Sequence, residues 1–139
     1  MRYLLDTNVV SDARLKRSPS LMAWLREQEV GWLALSVVTM LELERGVRRK
    51  ERSDPAGAAP LRRWLDEDVR PIAGGGILPV DERTAIVAAT LHIPDPMPEL
   101  DALIAATAIA RDLTLVTRNT EVFERAGVRL LNPWQALSG

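Results

Sequence analysis

The chain has 139 residues, a formal net charge of −1 and no cysteine. Its length predicts one domain, residues 1–139, and the lack of cysteine excludes disulfides and thiolate metal sites. The near-zero charge excludes a uniformly basic nucleic-acid binder but leaves room for a local basic face, and no apolar run is long enough to cross a bilayer.

Tyr3-Leu4-Leu5 reads as a short strand buried on both faces, too short for a helix. Asp6, Thr7 and Asn8 cannot continue that burial, so they emerge where the strand stops. Ser11 to Lys16 fits a short helical turn. Ser18 is a good N-cap with Pro19 in the first helical position, which predicts a helix over about 19–28. Trp32-Leu33-Ala34-Leu35 reads as a second buried strand. Ser36 caps a helix carrying Val37, Val38, Met40, Leu41, Leu43 and Val47, and its second half is strongly basic: Arg45, Arg48, Arg49, Lys50 and Arg52.

Asp54-Pro55-Ala56-Gly57 reads as a turn or small connection, followed by a helix through Leu61, Trp64, Leu65 and Val69. Gly74-Gly75-Gly76 lacks the Gly-Lys-Ser/Thr ending of a phosphate loop and reads as a flexible connection. Ile77 to Val80 is a short strand that Pro79 assigns to a sheet edge. Asp81 caps a helix to about His92, a proline-rich loop runs from Ile93 to Glu99, and an alanine-rich helix spans Leu100 to Asp112. Thr114 to Thr117 is a buried strand, Asn119 to Ala126 a helical segment stopped by Gly127, and Val128 to Leu131 a last strand. Strands alternating with helices predict a three-layer α/β/α sandwich around a mostly parallel sheet.

Polar residues at the strand ends carry the chemistry, because ligands of open α/β sheets collect outside the carboxyl ends of the strands. Asp6 ends the first strand. Glu42 lies on the helix after the second, between Leu41 and Leu43, and a carboxylate facing inward is costly unless paired or metal-bound. Glu44 is expected to be solvated. Asp101 opens the alanine-rich helix, where an N-cap and a ligand are both open readings. Asn119 follows the fourth strand. If Asp6, Glu42 and Asp101 converge, each pair of charges about 4 Å apart repels by roughly 4 kcal/mol at an effective dielectric near 20. A hard divalent cation, Mg²⁺ or Mn²⁺, relieves that repulsion and suits oxygen-only ligands. Such a site activates water and neutralises a phosphodiester in its transition state.

Four segments in order carry a family resemblance: Leu4-Leu5-Asp6-Thr7-Asn8-Val9-Val10-Ser11, Ser36 to Leu43 with Glu42, Leu100-Asp101-Ala102 onward to Ala108, and Val116-Thr117-Arg118-Asn119 onward to Phe123. With Gly76 to Glu82 and the closing Asn132-Pro133-Trp134, the chain resembles the PIN-domain toxins of the VapC type, FitB-like branch, from its first residues to its tail. The resemblance implies a metal-dependent endoribonuclease that cuts structured RNA such as tRNA or ribosomal RNA. It also implies a cytoplasmic toxin that dimerises, can assemble further, and is held inactive by a VapB-like antitoxin. By motif position, Asp6, Glu42 and Asp101 take the family's metal-binding acids, with Mg²⁺ or Mn²⁺ as cofactor. The fourth acidic position falls on Asn119, whose amide offers a carbonyl oxygen or orients a water but brings no charge; Glu121 is a substitute only if it turns inward.

Thr7 has two readings, a phosphate-positioning hydroxyl and a turn-satisfying one. The arginine run from Arg45 to Arg52 also has two, a complement to its helix dipole and an RNA-phosphate track, with Arg14, Lys16 and Arg17 bordering the same groove. Trp24 and Trp64 read as core or dimer contacts, or as walls of an antitoxin groove. His92, at a helix end, has no expected catalytic part. The alternative function is a PIN-like module that binds RNA or a protein without cutting. A receiver-type signalling domain is excluded because Leu35-Ser36 and Val116-Thr117-Arg118 lack its required Asp and Lys.

Overall fold

In the computed structural model, which describes residues 1–135, five strands form one parallel sheet. They are β1 (Tyr3–Leu5), β2 (Leu33–Ser36), β3 (Ile77–Leu78), β4 (Thr114–Val116) and β5 (Leu130–Leu131), in the order β3-β2-β1-β4-β5. The first strand is therefore the central one. The chain winds from β1 outward to β3, then returns to the other side of β1 as β4. The point where the winding reverses lies between β1 and β4, at their carboxyl ends. In open α/β sheets this is where ligands bind.

Alternate residues of each strand enter opposite cores, as the pleat requires. Leu4, Ala34 and Leu115 face one apolar cluster, whose helical wall is α6 (Glu82–Leu91) and α7 (Glu99–Ala110). Leu5, Leu35 and Val116 face the other. That side is covered by α1 (Thr7–Leu15), α2 (Pro19–Glu27), α3 (Val37–Ser53), α4 (Pro55–Glu67) and the short α5 (Val69–Ile72). Strand interiors apolar on both faces are what a doubly covered parallel sheet needs. Each fully buried leucine contributes roughly 2–3 kcal/mol through lost contact with water. The three-layer α/β/α arrangement expected from the alternating strands and helices is the one observed.

Several local expectations are corrected. The first helix begins at Thr7, not near Ser11, because the Asp6 carboxylate accepts the Thr7 backbone N–H at 2.8 Å and caps it. Asp54-Pro55-Ala56-Gly57 is a helix start and not a connection: Asp54 Oδ1 accepts the Gly57 N–H at 3.0 Å, and α4 runs through Pro60. The triple glycine is fastened rather than flexible. Gly74 and Gly75 donate backbone hydrogen bonds to Val30 and Leu33 at 3.0 and 2.8 Å. A Cβ on Gly75 would stand 2.7 Å from the Leu33 carbonyl oxygen, so only glycine lets this crossing lie against β2.

Glu44 is not solvated but paired, 2.7 Å from Arg62, whose guanidinium also meets Glu51 at 2.9 Å. Arg62 thereby ties α4 to α3. After β4 comes α8 (Thr120–Phe123) and a 3-10 turn (Glu124–Ala126), ended by Gly127 at φ +72°. The expected continuous helix over 119–126 is thus split.

Candidate active site at the carboxyl ends of β1 and β4

Asp6 leaves β1 at the reversal point and is 5% exposed. Both of its oxygens are occupied by the fold. Oδ1 accepts the Thr7 N–H, and Oδ2 accepts the Thr117 hydroxyl at 2.7 Å and the Asn8 amide at 3.4 Å. Burial pushes the Asp6 pKa up; the bonds from Thr117 and Thr7 oppose this, and the negative charges of Asp101 and Glu42 add to it. Asp101 is also raised, first by burial and then by Glu42. The three acids therefore act on one another electrostatically, although they come from β1, α3 and α7.

Glu42 sits in the second turn of α3, where its Oε1 accepts the Thr7 hydroxyl at 2.7 Å. The Thr39 hydroxyl, fully buried one turn earlier, lies 3.1 Å from that of Thr7. Thr7 thus holds Glu42 by its side chain while its backbone caps onto Asp6. The flank of Glu42 is less apolar than expected: Leu43 is buried, but Leu41 is 45% exposed. Asp101 is not an N-cap. Pro98 occupies that position, and Asp101 is the third residue of α7, in a first turn it shares with Glu99. Acidic residues there complement the positive end of the helix dipole.

Asn119 is the residue before α8, and its backbone N–H donates to Thr117 Oγ1 at 3.0 Å. Its side chain is exposed, and so is Glu121. The reading of the sequence missed Thr39 and Thr117. Both are buried hydroxyls whose partners lie 32 and 111 positions away. Their only local mark is a polar residue next to an apolar run.

A groove of about 310 Å³ opens beside Thr7 and Glu42. Arg14 of α1, Gly46 of α3 and Trp64 of α4 line it further out, with the Arg14 guanidinium 5.7 Å from the Trp64 ring centre. Trp24, by contrast, is a core residue, edge-on to Tyr3 at 5.1 Å. His92 caps the end of α6 and accepts the Met97 N–H.

Among the described residues, no group of three or more acidic or histidine side chains is placed to hold a metal ion. The donor set is nevertheless all oxygen, and its charges repel, which is the chemistry of a hard cation held partly through water.

A doubly wound parallel sheet with Asp6 at its reversal point defines an α/β protein. The PIN-domain profile matches residues 3–128. The chain is 31% identical to VapC ribonuclease Y4jK of Sinorhizobium fredii, over 95% of this chain and 97% of that protein. It is 34% identical to toxin FitB of Neisseria gonorrhoeae, over 94% and 97%. The crystal structure of FitAcB from Neisseria gonorrhoeae superposes with a TM-score of 0.84 at 33% identity, covering 96% of this chain and 99% of that one. The chain belongs to the PIN-domain family, in the group that holds VapC and FitB.

Proposed function

We propose that residues 1–139 work as a single PIN domain, the toxin of a VapBC-like pair, and that it is a Mg²⁺- or Mn²⁺-dependent endoribonuclease. The observation that carries this reading is Asp6: a buried carboxylate with a raised pKa, at the reversal point of the sheet, under the charge of Glu42 and Asp101. Asp6, Glu42 and Asp101 would hold the ion. When bound, it supplies positive charge for the phosphodiester oxygens and makes water a better nucleophile.

The chain's own residues set the geometry. Thr117 and the Thr7 N–H fix both oxygens of Asp6, and the Thr7 hydroxyl fixes Glu42. Asp101 sits half-buried with its pKa raised. Asn119 stands at the exposed rim, where its amide can take a water or a substrate oxygen. With a neutral amide in that place, the second ion of a two-ion site loses a charged ligand.

The FitAB and FitAcB structures support a VapB-like antitoxin as partner; the further partners are an RNA substrate such as tRNA or ribosomal RNA and a second copy of the chain. No helix among the described residues is long and apolar enough to cross a membrane. A chain without cysteine fits a reducing cytoplasm.

The test is to incubate partner-free protein with total bacterial RNA in Mn²⁺, in Mg²⁺ and in EDTA, with Asp6→Ala beside it, and to map new 5′ ends. Discrete cuts that need both the ion and Asp6 are the expected result. RNA bound but uncut, with ion binding intact, would favour the non-cutting module, whose one supporting feature is the missing charge at Asn119.

A further inference from the structure

The outer side of α3 beyond Glu42 carries a charge pattern that the fold does not use. Arg45, Arg48, Arg49, Lys50 and Arg52 are all exposed there. Two of the five cations are engaged locally. Arg48 meets Glu44 at 3.6 Å, and Lys50 meets Asp54 at 3.5 Å. Arg45, Arg49 and Arg52 pair with no carboxylate among the described residues.

The helix dipole accounts for Arg52 but not for Arg45 and Arg49. It acts within the last turn, where the basic residues are Lys50 and Arg52, whereas Arg45 and Arg49 stand before it. Nor is the cluster one part of a generally basic surface, since the whole chain carries −1.

Position links the three arginines to the site. Arg45 and Arg49 follow Glu42 by three and seven residues, so they share its side of the helix. At the helical rise, Arg49 and Arg52 lie roughly 10 and 15 Å along the axis from Glu42. They border a shallow depression with Leu41, Glu44 and Arg48.

Gly46 adds an independent sign. Glycine is the least favourable ordinary residue inside a helix, yet a Cβ at Gly46 would meet nothing beyond its own helix's neighbouring backbone within 4 Å. The fold does not require a glycine there. It leaves the groove wall beside Glu42 low, which is what the close approach of an outside backbone needs.

We infer that Arg45, Arg49 and Arg52 form a phosphate track that holds the RNA strand as it runs away from the Glu42 side of the active site. The inference rests on the endoribonuclease reading, because the track is placed by its alignment with that site. Arginine suits the task, since its planar fork pairs two donors with phosphate oxygens. RNA held this way releases counterions, so binding weakens steeply with salt.

The experiment uses the full chain carrying Asp101→Asn to stop cleavage, in Mg²⁺. Its affinity for fluorescein-labelled bacterial tRNA is read by anisotropy across a salt series. The same series is run with Arg45→Gln, Arg49→Gln and Arg52→Gln combined, and with Gly46→Leu alone; melting temperatures verify folding. In parallel, the unsubstituted chain is tested for cleavage of total RNA. The expected result is a plot of log affinity against log salt that is shallower by about 2 for the triple variant, at roughly 0.7 per lost single-strand contact, with a loss of about tenfold or more at 0.1 M salt. Gly46→Leu should weaken binding without changing that slope.

Unchanged slope and affinity in the triple variant, while the parent cuts RNA, would overturn the track and leave the nuclease standing. Retained tRNA affinity with loss of a co-expressed antitoxin would give this face to the protein partner and also overturn it. A parent that neither binds nor cuts RNA would remove the enzyme reading and the track together.

Discussion

The Thr117 hydroxyl donates to Asp6 Oδ2 across 2.7 Å, joining residues 111 positions apart. The same oxygen of Thr117 accepts the Asn119 N–H at 3.0 Å. One buried threonine therefore orients the acid at the end of β1 and the backbone that presents Asn119. Its hydroxyl can donate only one proton, and Asp6 receives it.

Replacing Thr117 with valine keeps the shape and removes the proton. A hydrogen bond to a charged buried group contributes about 1.5–3 kcal/mol, so Thr117→Val should lower stability by about that much in denaturant unfolding. It should also raise the Asp6 pKa further, because the largest opposing influence is gone. Thr117→Ser should restore most of both. A valine variant as stable as the parent would show that Asp6 does not depend on this bond.

Thr7→Val should leave α1 intact, since Asp6 caps the Thr7 backbone N–H and not its hydroxyl. Glu42 then loses its donor. Partners of metal ligands typically matter by 10–100-fold in affinity or activity, and a loss of about tenfold in cleavage is expected, recovered by Thr7→Ser. Full activity in Thr7→Val would mean that Glu42 is held by something else.

The raised carboxylates set a pH dependence in metal-free protein. Asp101 takes up its charge less readily folded than unfolded, so its ionisation costs stability. The cost is absent well below its ordinary value of 3.8, grows as pH rises through that value to the raised folded one, and is constant above. Asp101→Asn in EDTA should therefore melt higher than the parent near neutral pH and equally at a pH well below 3.8. Water screens a half-exposed group, so the gain stays below about 1 kcal/mol, up to about 3 °C for a domain of this size. Saturating Mn²⁺ should raise the parent and not the variant. A variant that melts lower at neutral pH would make Asp101 a structural residue.

Asn119→Asp should tighten Mn²⁺ binding roughly tenfold by calorimetry, since affinity for hard cations follows the number of charged ligands. Identical isotherms would place the Asn119 side chain away from the ion.

The sequence made the strand order of polarity plain: apolar runs of three or four residues, each ending in a polar one, put Asp6 and Thr117 at strand ends. It also placed Glu42 on a helix. What it could not show was pairing across distance. Thr39 and Thr117 look like ordinary threonines until the sheet brings β1 beside β4 and α3 beside α1. The misread start of α4 has a local cause. Asp54 and Pro55 signal a turn and a helix N-terminus equally well, and Pro60 five residues later argues against a helix interior. Leu41 reads in the sequence only as an apolar neighbour of Glu42, whereas the helix turns it outward beside the arginines.

The sheet order has a consequence for how the protein is made. Its central strand precedes both of its neighbours in the chain: β2 starts at Leu33 and β4 at Thr114. Asp6 cannot receive its proton from Thr117 until the chain has been made through β4. A nascent chain arrested before α7 carries Asp6 and Glu42 but neither Asp101 nor the strand that seats them. Of the three acids, the one that comes first in the chain is thus seated by a strand that comes after all of them, and a chain that stops short of β4 should lack the assembled site.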